Sequence, residues 1–134
     1  HSEHFQMQGI RYLYPDPYFS INPELAEKLN IAYGDWCWIE TRRGRCLQKA
    51  KLDASVSPYT VAAQHGWWFP EEDGNEPNLY GNFRCNINNL LPNGHMGKLG
   101  FGAPNKCLIC NIEPVSESYD TDMAVVWEKF GKLV

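Results

Sequence analysis

The sequence predicts one mainly β domain with a short crossover helix and a terminal helix. Several short strand-like runs, each bounded by turn residues, indicate the strands. Two further stretches combine a helix start signal with an apolar face, which indicates the helices. The 134 residues are 43% hydrophobic and 21% charged, which is typical of a globular chain large enough to bury a core.

The crossover helix is predicted just after residue 22. The Asn22 side chain can cap the first turn, Pro23 fits the first helical position, and Glu24 favours the positive end of the helix dipole. Asn30 can end the helix. The sequence therefore predicts about two turns of helix between these two asparagines.

Four strands are predicted, and the first two form a hairpin. The hairpin turn contains Arg42, Arg43 and Gly44, and its basic side chains are interpreted as a solvated tip. Pro114 is expected to stop the last strand. The predicted strands are residues 36–41, 45–52, 61–64 and 106–113.

Residues 70–105 are expected to be mostly irregular, because Gly, Asn and Pro are dense there. A loop this long in a compact domain usually has a function or lies against a partner. After it, Asp122 is expected to cap an amphipathic helix from Met123 to Phe130 that ends at Gly131.

Charge and composition exclude several classes of protein. The formal net charge of -4 argues against a general nucleic-acid binder, and no apolar run approaches the length of a membrane span. The chain begins with His1 rather than Met and shows no signal-peptide pattern, so we expect an excised piece of a longer protein. The odd number of cysteines, five, favours a reducing compartment, hence the cytoplasm, with the periplasm left open.

The run of aromatic residues at 67–69 is the most informative segment. Trp67 and Trp68 follow Gly66 without the spacing of a strand or of an amphipathic helix. One interpretation is an aromatic surface laid against a ligand, and the other is core at the end of a strand. A carbohydrate-binding module that stacks sugars on both tryptophans is the alternative function, and it requires both rings to be exposed and coplanar.

Other motifs do not support a self-sufficient enzyme. Cys107 and Cys110 have C-x-x-C spacing, but residues three apart on a strand point to opposite faces, so a shared metal is not expected. The glycine-rich run at 97–102 lacks the order of a nucleotide-binding loop, and no nucleophile–base pair or metal cluster is found.

Asn86 and Asn88 are candidate ligand-binding residues. Amide side chains both donate and accept, so they can bind the edge of a heterocycle, and the two would face one side if the stretch were extended. The alternative is that these asparagines form turns.

Together, these segments resemble the C-terminal molybdopterin-dinucleotide-binding domain of the dimethyl sulfoxide reductase-type molybdenum and tungsten oxidoreductases, and most closely its acetylene hydratase-like branch. The likeness rests on the order and spacing of the motifs. Asn30 and Leu91 depart from it, where glycine and threonine are usual. The matching motifs are His1-Ser2-Glu3-His4, Asp16-Pro17 with Ile21-Asn22-Pro23, Gly34-Asp35-Trp36, Arg43-Gly44, His65-Gly66-Trp67-Trp68 and Asn86 to Leu90.

The resemblance implies a six-stranded double-psi β-barrel over residues 1–115, followed by a helical extension at 116–134. It implies a molybdopterin guanine dinucleotide that this domain covers and that larger upstream domains grip. Those upstream domains would supply the metal ligand and any iron–sulfur cluster, so no catalytic residue is expected here. The implied cofactor contacts are His1, Ser2, Glu3, His4, His65, Gly66, Trp67, Trp68, Asn86, Asn88, Asn105 and Lys106.

Overall fold

The computed structural model describes residues 2–92 and 108–131, and in them a mixed five-stranded sheet is surrounded by short helices. The mainly β prediction is confirmed. The described strands form an open sheet, with β4 and β5 at its edges, rather than a closed barrel. The strands are β1 (Tyr18–Ile21), β2 (Trp36–Glu40), β3 (Arg45–Leu52), β4 (Val61–Ala63) and β5 (Asn111–Pro114), and the α-helices are α1 (Gln8–Leu13), α2 (Pro23–Lys28), α3 (Asn82–Cys85) and α4 (Met123–Phe130).

Strand β3 lies at the centre of the sheet, whose order is β4-β1-β3-β2-β5. It pairs in parallel with β1, with Tyr18 opposite Lys49, while every other pairing is antiparallel. A parallel pair requires a crossover connection. Helix α2 and strand β2 lie in this connection. Helix α2 is therefore the short crossover helix that the sequence predicts.

Helix α2 forms as its sequence predicts. The Asn22 side chain accepts a hydrogen bond from the backbone N–H of Glu24 at 2.9 Å, and its amide donates to the carbonyl of Val56 at 2.8 Å. Asn30 has a φ of 54°, in the left-handed region that ends helices. The buried apolar cluster beneath α2 includes Phe19, Ile21, Ala26, Ile31, Cys37, Ile39, Cys46, Ala50 and Leu90.

The hairpin of β2 and β3 is confirmed, but the last strand begins later than predicted. Cys37 to Glu40 of β2 pair with Pro114 to Asn111 of β5. Because β2 ends at Glu40, opposite Asn111, residues 108–110 have no strand partner, and residues 106 and 107 lie outside the described residues. Pro114 is the last residue of β5, a position that an edge strand tolerates.

Short helices interrupt the stretch that was expected to be irregular. Residues 79–90 form a 3-10 turn at Leu79–Gly81, helix α3, and a second 3-10 turn at Ile87–Leu90. Each is four residues or shorter, so none contains the repeated apolar spacing by which a helix is recognised in a sequence.

The C-terminal helix α4 is confirmed and packs against α1, which the sequence did not predict. Asp122 caps α4 by accepting a hydrogen bond from the N–H of Ala124 at 2.8 Å, and Val126 is buried. The Gln8 amide donates to the carbonyl of Phe130 at 2.5 Å. In the two described stretches, no helix is long and apolar enough to cross a membrane.

A charged cluster joins the segment before α4 to the sheet. The Lys49 ammonium lies 3.0 Å from the Asp16 carboxylate and 2.5 Å from that of Asp120, and the Trp36 indole donates to Asp120 at 2.8 Å. Burial lowers the pKa of Lys49, but the hydrogen bonds to the two carboxylates outweigh it and leave the pKa raised. Burial likewise raises the pKa of Asp120, but the hydrogen bonds from Lys49 and Trp36 outweigh it and leave the pKa lowered.

We expect Asp120→Asn to reduce the acid sensitivity of folding. A carboxyl whose pKa is lowered by folding stabilises the protein above its unfolded pKa of about 3.9, and this contribution is lost as the pH falls through the folded value. The Asp120 side chain is 56% exposed, so its pH-dependent contribution to the free energy of unfolding is below about 1 kcal/mol. Urea unfolding between about pH 6 and pH 3 measures how steeply the free energy of unfolding falls with pH. Equal slopes for wild type and variant would show that Asp120 does not contribute to the acid sensitivity.

Candidate functional site

Trp67 belongs to the core rather than to an exposed aromatic surface. Its side chain is fully buried, with its ring centre 4.1 Å from that of Phe5 and 5.9 Å from that of Phe69. Gly66 has a φ of 65°, which favours glycine, and it turns the chain directly before Trp67. The core interpretation is therefore confirmed for this tryptophan.

Trp68 lies differently from its neighbour. It is half-buried, and its ring meets that of Tyr80 edge-on, with centres 5.4 Å apart. A carbohydrate platform would need both tryptophan rings exposed and coplanar. Because the Trp67 ring is fully buried, the two-tryptophan platform is excluded.

A buried ion pair lies beside Trp67, and sequence reasoning missed it. The Arg11 guanidinium is fully buried and lies 2.5 Å from the Glu71 carboxylate, whose side chain is 7% exposed. It lies 5.5 Å from the centre of the Trp67 ring and 5.9 Å from that of Phe69. Burial lowers the pKa of Arg11 and raises that of Glu71, while the opposite charge of each partner acts against these shifts.

Asn86 and Asn88 lie in a turn, which is the second of the two arrangements that the sequence left open. The Asn86 side-chain oxygen accepts a hydrogen bond from the backbone N–H of Asn88 at 3.0 Å and caps the 3-10 turn at Ile87–Leu90. The Asn86 amide donates to the side chain of Asn82 at 2.9 Å. The side chain of Asn88 is exposed, so of the two it is the one directed toward solvent. We call residues 86–90 the asparagine turn.

The asparagine turn is held against the tip of the β2–β3 hairpin. The Thr41 hydroxyl donates to the carbonyl of Leu90 at 3.0 Å. A Cβ atom at Gly44 would lie 2.9 Å from the carbonyl oxygen of Asn89, which is too close, so this close approach requires glycine. The hairpin motif and the asparagine motif are therefore in direct contact.

Gln48 of β3 connects the asparagine turn to the segment of residues 64–68, which we call the histidine segment. The Gln48 amide nitrogen donates to the carbonyls of Gln64, at 3.0 Å, and Cys85, at 3.3 Å. Its amide oxygen accepts from the N–H of Gln64 at 2.9 Å. Sequence reasoning missed Gln48, although it alternates with Cys46 and Ala50 and so places a polar side chain on an apolar face of the strand.

The N-terminal motif lies beside the histidine segment. Residues 2–4 form a 3-10 turn, in which Glu3 and His4 are exposed, and Phe5 then packs on Trp67. His65, two residues before the same tryptophan, is also exposed. The N-terminal motif, the histidine segment and the asparagine turn thus adjoin Trp67 or β3, whereas His1, Asn105 and Lys106 lie outside the described residues.

The three buried cysteines of the described residues have thiols that resist ionisation. Cys37, Cys46 and Cys85 are free and buried, and burial raises the pKa of both Cys37 and Cys46 to about 12. Such thiols stay protonated, whereas metal binding and nucleophilic attack need the thiolate. Residues 2–92 and 108–131 contain no group of three potential metal ligands, and Cys107 lies outside them.

A cleft of about 840 Å³ opens beside the asparagine turn. Leu90 and Pro92 form one wall, and the hairpin residues Arg42 and Arg43 form another. Glu40, Thr41 and residues 108–111 complete the described lining. The cleft is large enough for a sizeable organic ligand, and its charged lining combines the two arginines with Glu40.

Comparison with known proteins identifies the family. A family model described as "Molydopterin dinucleotide binding domain" matches residues 1–99 of this chain. The chain belongs to this family. It is a molybdopterin-dinucleotide-binding domain, and the resemblance drawn from its motifs is confirmed.

Curated relatives of this domain are much longer proteins. Dopamine dehydroxylase of Eggerthella lenta is 42% identical to it over 71 residues, which is 53% of this chain and 7% of that protein. Acetylene hydratase of Syntrophotalea acetylenica is 35% identical over 65 residues, 48% of this chain and 9% of that protein. The matched segment thus spans less than a tenth of the length of either relative.

A solved structure has the same fold. Acetylene hydratase from Pelobacter acetylenicus superposes with a TM-score of 0.76 and 26% sequence identity, over 84% of this domain and 16% of that chain. The superposition covers a larger share of this domain than the sequence matches to the curated relatives do.

Proposed function

We propose that this domain holds a molybdopterin guanine dinucleotide within a larger molybdenum or tungsten oxidoreductase of the anaerobic dehydrogenase and reductase type. It binds and orients the cofactor and carries out no redox chemistry by itself. The bound cofactor supplies the metal-centred redox chemistry, and the protein supplies position and electrostatics.

The convergence of three motif segments carries this proposal. The N-terminal motif, the histidine segment and the asparagine turn are far apart in sequence, yet Phe5, Trp67 and Gln48 bring them together. Core packing alone does not require these segments to end in exposed polar groups. His4, His65 and Asn88 are nevertheless all exposed.

The chemistry of these groups fits the cofactor. Pterin and guanine are flat heterocycles whose edges alternate donors and acceptors, and the Asn88 amide can satisfy both kinds of group. Gly66 allows close approach of the backbone, and Trp67 supports this wall from behind because its ring is buried. Asn105 and Lys106 are proposed to complete the site, with the lysine acting as a point charge toward the phosphates.

The rest of the enzyme is proposed to close the site from the other side. The relatives are more than ten times longer than their matched segments, which leaves room for further domains that grip the cofactor and supply the metal ligand. An iron–sulfur cluster on those domains and a cytoplasmic location are parts of the same proposal. Metal analysis of the complete protein and cell fractionation test them, and a protein without iron or one found outside the cytoplasm would contradict them.

We also propose that the domain completes a six-stranded double-psi β-barrel. Support comes from the parallel pairing of β1 with β3 among antiparallel neighbours and from the outer edges of β4 and β5, with which no other described strand pairs. A sixth strand would have to pair with one of these edges. An experimental structure in which both edges remain unpaired would contradict this fold.

We expect Asn88→Ala to weaken cofactor binding roughly tenfold, because removal of the side-chain amide leaves polar atoms of a buried heterocycle without a hydrogen-bond partner. Cofactor content of the purified complete protein, and its affinity on refilling, measure the effect. Asn75→Ala is the matched control, since Asn75 is also exposed in a loop and its amide bonds to Asp73 nearby. Equal cofactor retention in the two variants would refute the proposed role of Asn88.

A further inference from the structure

We propose that Gln48 is a positioning residue that sets the distance between the two halves of the cofactor site. This inference rests on the proposed function, because it concerns the histidine segment and the asparagine turn. Gln48 itself is fully buried and makes no contact with solvent. It acts on the residues that directly precede His65 and Asn86.

The hydrogen bonds of Gln48 use the whole side-chain amide. Its two N–H groups match the carbonyls of Gln64 and Cys85, at 3.0 and 3.3 Å, and its oxygen accepts from the N–H of Gln64 at 2.9 Å. Both backbone groups of Gln64, the residue that follows β4, are therefore satisfied by one side chain from β3, a strand that is separated from β4 by β1 in the sheet.

Each bonded residue immediately precedes a proposed cofactor contact. Gln64 precedes His65 and is held from its other side, since its own side-chain oxygen accepts from the N–H of Tyr18 at 3.1 Å. Cys85 is the last residue of α3, where carbonyls lack helical partners, and it precedes Asn86. Gln48 thus adds a second tie between two segments that also touch where the Cys85 thiol lies 4.0 Å from the carbonyl of Trp67.

The location of Gln48 argues that it is kept for position rather than for stability. Its strand neighbours on the same face, Cys46 and Ala50, are fully buried members of the apolar core. A buried amide costs free energy unless all its hydrogen bonds are made, so an apolar residue would serve packing alone. A fully bonded amide instead specifies one arrangement of the segments that it joins.

Gln48→Met in the complete protein tests this inference. Methionine has a similar length and removes all three hydrogen bonds. We expect amide hydrogen exchange to rise in residues 64–68 and 86–88, and cofactor affinity to fall roughly tenfold. Gln8→Met is the matched control, because it also removes a glutamine hydrogen bond, the one to the carbonyl of Phe130. Both residues of this bond are far from the two segments along the chain. Unchanged exchange in both segments would overturn the inference.

A double-mutant cycle with Asn88→Ala separates positioning from general stability. If Gln48 acts by placing Asn88, the losses of affinity in Gln48→Met and Asn88→Ala are not additive, whereas a purely structural role gives additive losses and overturns the inference. If Asn88→Ala has no effect on cofactor affinity, the proposed cofactor site is refuted, whatever the result for Gln48→Met. If Asn88→Ala weakens binding and Gln48→Met does not, the site stands and the role of Gln48 is refuted.

Gln48→Glu is the second variant if the methionine protein does not fold. The carboxyl group keeps an acceptor for the N–H of Gln64 but cannot donate to both carbonyls. We expect the contact to Cys85 to be lost first, so exchange rises in residues 86–88 more than in residues 64–68. Failure of both variants to fold would assign Gln48 to stability alone and overturn the inference.

Discussion

Arg11→Met is expected to lower the free energy of unfolding by about 3–5 kcal/mol, because it leaves the Glu71 carboxylate buried without its cation. Arg11 is fully buried and Glu71 is 7% exposed, so water cannot replace the lost charge. The substitution also removes the guanidinium from beside the Trp67 and Phe69 rings. Urea unfolding of the chain, followed by tryptophan fluorescence, measures the loss.

The half-buried ion pair of Arg84 and Glu72 supplies the matched control for Arg11. The Arg84 side chain is 35% exposed and also lies over the Phe69 ring, at 4.8 Å from its centre. We expect Arg84→Met to cost no more than about 1 kcal/mol, since water screens this pair. Adding Glu71→Gln to Arg11→Met should recover part of the loss. Similar losses for Arg11→Met and Arg84→Met would show that burial of the pair does not matter.

Trp67→Ala is expected to destabilise the domain by about 3–5 kcal/mol, because it opens a cavity in a packed core. The Trp67 ring is fully buried between Phe5 and Phe69, in the cluster that also contains Cys85. Its indole N–H has no hydrogen-bond partner among the described residues. Trp67→Phe should therefore cost much less, below about 1.5 kcal/mol, since an aromatic ring still fills most of the space.

Trp68→Ala is the companion measurement, since Trp68 is only half-buried. Chemical denaturation of the three variants gives the order of losses, with Trp67→Ala the largest. A loss for Trp68→Ala that equals or exceeds it would contradict the assignment of Trp67 to the core. The same result would reopen the interpretation of residues 67–69 as a ligand-facing surface.

Local signals explain which elements could be predicted from the sequence. Helix α2 begins at Pro23 after a capping asparagine, and α4 begins after the capping Asp122. The β2–β3 hairpin is set by a short polar turn between two strand-like runs. In each case the residues that decide the structure lie within the element or beside it, so they can be read without knowing the rest of the fold.

Contacts between distant residues explain what could not be predicted. Arg11 is 60 residues from Glu71, and nothing near either residue indicates the pairing. The start of β5 depends on where β2 ends, since strand pairing sets it rather than composition. Gln48 could be seen as a polar residue on an apolar face, but its partners Gln64 and Cys85 could not.

The candidate site was predicted through motif order rather than through chemistry. The family's motifs located the histidine segment and the asparagine turn, and the comparisons confirm the family. Residue chemistry alone left open whether Asn86 and Asn88 lie in an extended stretch or in a turn, and the structure shows the turn, which Asn86 caps. The contact residues themselves stay a prediction.

An experimental structure of the complete protein with its cofactor bound tests the central claim most directly. We predict that the Asn88 side chain and the backbone of Gly66 lie within hydrogen-bonding distance, about 3 Å, of the dinucleotide. We also predict that Gln48 keeps its bonds to Gln64 and Cys85 in the loaded state. A cofactor bound with neither Asn88 nor Gly66 in contact would contradict the assignment of this site.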